Sequence, residues 1–440
     1  MKVQHEPAPD KRTMKVHQPL LLLSSYFLGL LCISLCNMQL DASPPQQKPS
    51  PQPPAKNSRN EQQAAAARLA HLNAGLVTRT PYVVLGYNDL GMHCMNQNFS
   101  EICILPPYNT LRAQVIYRGG EEPRIVKSGV SVRYSIPGNT ASTTKTNFWQ
   151  YSKLLFGVNL QPNIGLTGNG LAGFMKRNGT DNDWIATGIP ITPITDTGKL
   201  DPYQLSRIDV IANGKVAGST VAVVPVSWEI SCNLCHNTPG ISVETDILRK
   251  HDKLHKTKLE QAKPVLCASC HADPALGTTG KPGVKTMSHA MHGSHANRMA
   301  PVASLGNTCY ACHPGFQTNC QRDVHFAKGI FCKDCHGDMK AVGNTNRRPW
   351  IDEPRCQSCH LQRKPNFEFE EPGKLYKDSH GHMGVHCSAC HGSPHAIAPA
   401  VTPPDNAQAI LQQGHAGTIN TCTVCHSKTP KERFPHKRDD

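Results

Sequence analysis

Aromatic side chains make up only 6% of this 440-residue chain, and charged ones only 18%. Residues 231–440 are poor in the apolar side chains from which a core is built. That shortage excludes a second unit folded around its own side chains alone. Such a segment must bury something else or be stapled covalently. Sustained helix or strand periodicity is also missing there, with one exception: 244–262 reads as a helix that sets His251 and His255 on one face. Acidic residues are outnumbered, 32 Asp+Glu against 46 Lys+Arg, for a formal charge of +14. Read alone, that imbalance points to a nucleic acid or a membrane surface.

Cysteine is the residue in excess. The chain holds 19 Cys, and fourteen of them form seven Cys-x-x-Cys pairs, each followed directly by His. The motifs are Cys232-Asn233-Leu234-Cys235-His236, Cys267-Ala268-Ser269-Cys270-His271, Cys309-Tyr310-Ala311-Cys312-His313, Cys332-Lys333-Asp334-Cys335-His336, Cys356-Gln357-Ser358-Cys359-His360, Cys387-Ser388-Ala389-Cys390-His391 and Cys422-Thr423-Val424-Cys425-His426. Two thiols three residues apart lie on one side of a helical turn. They can add to the two vinyl groups of one haem, and the adjacent His then reaches the iron as proximal ligand. Zinc also takes Cys-x-x-Cys pairs, four ligands at a time, and a disulfide framework would use the same cysteines. Neither explains a His at the same place seven times over, so haem is the expected cofactor. A large flat apolar macrocycle also supplies the core that about thirty residues per motif cannot.

Covalent haem changes the charge balance. Each haem brings two propionates on an iron-porphyrin core that is +1 oxidised and 0 reduced, so seven would leave roughly +7 oxidised and about 0 reduced. The basic excess is then compensation for haem carboxylates, and no nucleic-acid partner is expected.

Residues 1–42 read as an export signal or membrane anchor: a polar, basic stretch precedes an apolar run at 20–36. Met14 offers an alternative start. No clean cleavage site follows; Ala42 is a candidate, with Leu40 a poor fit at the −3 position. A cleaved signal, an uncleaved anchor through 20–36 and a lipoprotein cysteine at Cys32 or Cys36 all stay open. Residues 43–76 begin as a Pro/Gln-rich linker, extended and without a core.

Residues 77–230 carry no haem motif. Short alternating runs at 82–87, 112–117, 131–136 and 207–212, with Asn213-Gly214 as a hairpin signal, predict a β-rich domain, read as a sandwich. The segment Met92-His93-Cys94-Met95 collects soft ligands of the kind copper takes, although adjacent strand side chains point to opposite faces. A Cys94–Cys103 disulfide is the other reading of those cysteines, and Cys320 is left without a motif partner.

On these seven motifs, residues 231–440 resemble the multihaem c-type cytochromes of respiring bacteria. The resemblance covers a little under half of the chain and rests on spacing. It implies covalent haem, export to the periplasm or cell surface before maturation, closely stacked haems and electron transfer among redox protein partners. It also implies little regular secondary structure beyond short helices. Twelve further His at 231–440 can supply sixth ligands. His325, His380 and His415 each lie seven residues before the first cysteine of a motif, a placement that in such cytochromes caps a neighbouring haem. His395, His292, His251 and His255 complete the expected set of seven. If every iron holds two His, none is open to substrate, and the chain is an electron carrier rather than an enzyme. No motif ends in Lys, which argues the same way. Met287, Met291, Met299, Met339 and Met383 are read as ordinary packing. A reductase of a small nitrogen or sulfur compound with one open haem, and a haem-stacking filament subunit, are the alternatives.

Overall fold

Alternating apolar and β-branched residues put strands where the pattern predicts them. The structure, a computed structural model, describes residues 75–78, 80–299, 307–432 and 434–436. Its N-terminal part holds β1 (Tyr82–Asn88), β2 (His93–Cys94), β3 (Ile102–Cys103), β4 (Leu111–Tyr117), β5 (Arg124–Ile125), β6 (Ser131–Ser135), β7 (Ala172–Phe174), β8 (Lys176–Asn178), β9 (Asp183–Ala186), β10 (Tyr203–Ala212) and β11 (Lys215–Ser227). One five-stranded sheet runs β1-β4-β9-β8 with β5 on β4; the other runs β2-β11-β10-β6-β7. The β10–β11 hairpin turns at Asn213 and Gly214, both at positive φ (50° and 75°), as a tight two-residue hairpin requires.

The two sheets share one buried cluster. Val84, Val115 and Trp184 come to it from the first sheet, and Val132, Ile208 and Val224 from the second. Strand β1 is buried on both faces. While Val84 enters that cluster, Val83, Leu85 and Tyr87 point the other way and pack on Ala389 and Val424, inside the sixth and seventh motifs. At about 1.5–3 kcal/mol per buried Val or Leu, this second face is a substantial tie between the two halves. The change at residue 231 is accordingly one of secondary structure: the described residues belong to one compact unit.

After β11 the chain has short helices and little else. The expected helix at 244–262 is real but shorter, Val243–His255, because Lys256 turns left-handed at φ 55° and ends it; Leu259–Gln261 forms a separate turn. Ser242 caps its start by accepting from the Thr245 N–H. A second helix spans Met287–Met299 and a third Ala407–Gln413. The expected export or anchor segment at 1–42 lies outside the described residues, as does all of the linker up to residue 74. Among the described residues no helix is long and apolar enough to cross a membrane.

Candidate metal centres

Each motif folds into a single helical turn. The backbone N–H of His236, His271, His313 and His426 reaches back to the carbonyl of the first cysteine of its motif, at 2.8–3.0 Å. The remaining three motifs are one-turn helices, Cys332–His336, Cys356–His360 and Cys387–His391. One turn thus carries two thiols and an imidazole on a single short rise.

Every motif histidine stands opposite a second histidine. Ring centroids are 6.4 Å apart for His236 and His295, 6.3 Å for His271 and His251, and 6.1 Å for His313 and His292. They are 6.1 Å apart for His336 and His395, for His360 and His325, and for His426 and His382, and 5.6 Å for His391 and His436. A metal–nitrogen bond is about 2 Å and a ring nitrogen lies roughly 1.1 Å from its ring centre, so two imidazoles sharing one metal end to end would set their centroids about 6.2 Å apart. Direct packing of the rings does not demand that spacing; His380 and His386 approach to 4.1 Å. No group of three or more His, Cys, Asp or Glu that could hold an ion by itself occurs among the described residues. Each pair offers two imidazoles and no third side-chain donor among the described residues.

The far ring nitrogens are fixed in the way metal-ligating imidazoles require. Nδ1 of His271 donates to the Lys285 carbonyl (2.8 Å), that of His292 to the Ser288 carbonyl (2.8 Å) and that of His295 to the Met291 carbonyl (2.7 Å). A carbonyl only accepts, so the proton sits on Nδ1 and Nε2 keeps its lone pair. The Asp323 carboxylate takes this place for His325 (3.1 Å), and the carboxylates of Asp246 and Glu122 lie near Nδ1 of His236 and His426 at 3.5 and 3.6 Å. Burial pushes His313, His391 and His395 down to about 4 and lowers His236, His251, His292 and His336. His325 is the exception: its hydrogen bond to Asp323 raises it.

Of the histidines expected as partners, His251, His292, His325 and His395 face motif histidines. His255, His380 and His415 do not; their places are taken by His295, His382 and His436. His255 leans on the His251 ring at 4.7 Å. His380 lies 3.0 Å from the Glu371 carboxylate in a short hairpin with His386. His415 is exposed and bonds the adjacent Ala416 carbonyl. The seven-residue spacing selects His380, but the hairpin turn, left-handed at His382 and Met383, swings His382 outward to His426 instead. His295 had a readable signal, since it follows His292 by three residues on the same helix face. His436 had none: it reaches His391 through tertiary packing on Phe367.

One expectation for the β part, the Cys94–Cys103 disulfide, is corrected. Cys94 and Cys103 are separate free thiols, and Cys103 pairs its strand with Leu266, next to Cys267. His93 is buried with the Asp89 carboxylate 3.5 Å away, and among the described residues no group of three or more metal-ligating side chains includes it.

The helix Val243–His255 links the first motif to the second, with Asp246 on His236 and His251 facing His271. The helix Met287–Met299 likewise links the first motif to the third, with His295 facing His236 and His292 facing His313. A cavity of about 520 Å³ opens beside Cys335 and His336, lined also by Arg347, Arg348 and Arg355.

No family model, no curated protein and no solved structure matches the chain.

Proposed function

We propose that this chain is an exported multihaem c-type cytochrome that carries electrons between respiratory partners or toward an extracellular acceptor. The observation that carries the reading is the spacing of 5.6–6.4 Å between all seven motif histidines and a second imidazole. In this reading each cysteine pair forms two thioethers to one haem, and His236, His271, His313, His336, His360, His391 and His426 are the proximal ligands. His295, His251, His292, His395, His325, His436 and His382 are the sixth ligands, in the same order. A bound haem supplies a one-electron site whose potential follows its axial ligands, their hydrogen bonds and its burial.

The protein's own work is then to hold and tune. Carbonyls on Nδ1 of His271, His292 and His295, and the Asp323 carboxylate on His325, orient those imidazoles and set their basicity. Arg347 and Arg355 line the cavity beside His336 as candidate partners for propionates, while Arg348 is paired with Asp352 in the same wall. We read the two sheets as a sandwich whose strand β1 serves as a platform for the sixth and seventh motifs. Two imidazoles per site leave no position for substrate, which favours a carrier over a reductase with an open haem. The helices that join the second, first and third motifs support the reading that neighbouring sites exchange electrons.

The test is a haem count by the alkaline pyridine spectrum, with peptide mapping of thioether-modified cysteines. Seven haems on the fourteen motif cysteines is the expected result. Zinc in place of haem, or free motif thiols in the mature protein, would overturn the reading.

A further inference from the structure

Three cysteines among the described residues stand outside the motifs: Cys94, Cys103 and Cys320. Cys103 is buried beside Leu266. Cys94 and Cys320 come from opposite halves of the chain, and their segments are pinned together at two points. Cys94 is in register with Ser227, whose hydroxyl lies 3.1 Å from that of Thr318. Arg322 Nη1 donates both to the Gly91 carbonyl (2.8 Å) and to the Cys320 carbonyl (3.1 Å). Glu229 fixes the loop leading to Cys320 by accepting the N–H groups of Phe316 and Thr318.

Cys320 has a second neighbour. Its sulfur lies 4.0 Å from Nδ1 of His395, the imidazole that faces His336. His395 is held in the left-handed region at φ 59°, with its carbonyl bonded by the Arg322 N–H. Strain of this kind persists where surrounding contacts over-determine it. The other described Nδ1 partners of facing histidines are oxygens, so this site is the one with sulfur there.

We propose that Cys94 and Cys320 are a dithiol–disulfide pair, and that its state controls the hydrogen bond His395 Nδ1–H gives to sulfur, and through it the potential of the iron held by His336 and His395. The second half rests on the haem reading; the first does not. Oxidation proceeds by exchange with a disulfide of an exported oxidoreductase or a small-molecule disulfide. A thiolate of the pair attacks it to give a mixed disulfide, which the second thiolate resolves. The Cys94–Cys320 S–S bond forms, the oxidant's S–S bond breaks, and two electrons and two protons leave as two thiols. In the dithiol state Cys320 accepts from His395, which makes the imidazole a stronger donor and favours ferric iron. In the disulfide state sulfur is drawn toward Cys94 and the bond weakens, so the potential of this one haem rises.

The test uses the purified full chain treated with reduced or oxidised glutathione. Peptide mapping without reduction should show a Cys94–Cys320 cross-link only after the oxidised treatment. Independent alkylation of both thiols, or a Cys94–Cys103 link, overturns the pair. Spectropotentiometry should then move one of seven waves upward on oxidation. Cys94→Ser, which cannot form the bridge but keeps Cys320 on His395, should fix that wave at its lower, dithiol value under both treatments. Cys320→Ala should fix it at the higher value, and Cys320→Ser should restore part of the downward shift. A cross-link that moves no wave overturns the coupling while leaving the pair. A mature protein without haem would still report on the pair by mapping alone, so the two readings fail separately.

Discussion

His292 and His295 leave one helix, Met287–Met299, three residues apart, and face two different motif histidines: His313 at 6.1 Å and His236 at 6.4 Å. One rigid element therefore binds the first and third sites together, although the second motif lies between them in the chain. The neighbouring His289 is turned elsewhere, its Nε2 donating to the Arg347 carbonyl at 2.8 Å.

Sixth-ligand assignment is open to direct test by substitution. His295→Ala, His382→Ala and His436→Ala should each convert one iron in seven to high spin, read by electron paramagnetic resonance at low temperature. His255→Ala, His380→Ala and His415→Ala should leave all seven low-spin. The reverse pattern would mean that the spacing rule read from the sequence, and not the ring geometry, identifies the ligands.

The Asp323 carboxylate on His325 should lower the potential of the iron shared with His360. Asp323→Asn removes the charge and keeps the shape. We expect that one wave to rise by about 60 mV, a tenfold change in a one-electron equilibrium, within the range such supporting groups command. An unmoved wave in a redox titration would remove Asp323 from the tuning set.

His386 predicts an acid weakness of the fold. It is 1% exposed, packed on Tyr87, and burial pushes it down to about 4. Between its ordinary value and 4 the unfolded chain binds a proton that the folded chain refuses. Stability is therefore complete above about pH 6.5 and falls as pH drops toward 4, by roughly 3 kcal/mol from this residue. His386→Phe should flatten that part of the curve in denaturant unfolding at pH 7 and pH 5. Equal slopes in both proteins would refute it.

Arg322 is fully buried and doubly bonded to Asp405 (2.7 and 2.8 Å), and it also holds the Gly91 carbonyl. Asp405→Ala strands a buried cation and should cost about 3–5 kcal/mol in denaturant unfolding. A cost under about 1 kcal/mol would mean that this pair does not join the β sheets to the motif region.

Much of this architecture is legible in the sequence, for identifiable reasons. Period-2 alternation marks β1, β4, β6 and β10, and Asn213-Gly214 marks the longest hairpin. The motif turns follow from covalent spacing. The facing histidines are only partly legible. His251, His292, His325 and His395 lie on or beside elements with a local signal. His436 and His382 reach their partners through a stacked ring and a left-handed turn, and neither leaves a periodic trace. The burial of both faces of β1 is also hidden, because an alternating strand looks the same whether its second face meets water or Val424.

The central claim, seven metals each held between two imidazoles, is tested most directly by near-infrared magnetic circular dichroism of the oxidised protein. The porphyrin-to-iron charge-transfer band reports the axial ligand pair of each low-spin haem. The account predicts one bis-histidine band with the intensity of seven haems and no high-spin feature. A high-spin contribution near one haem in seven, or a band characteristic of histidine–methionine ligation, would contradict it.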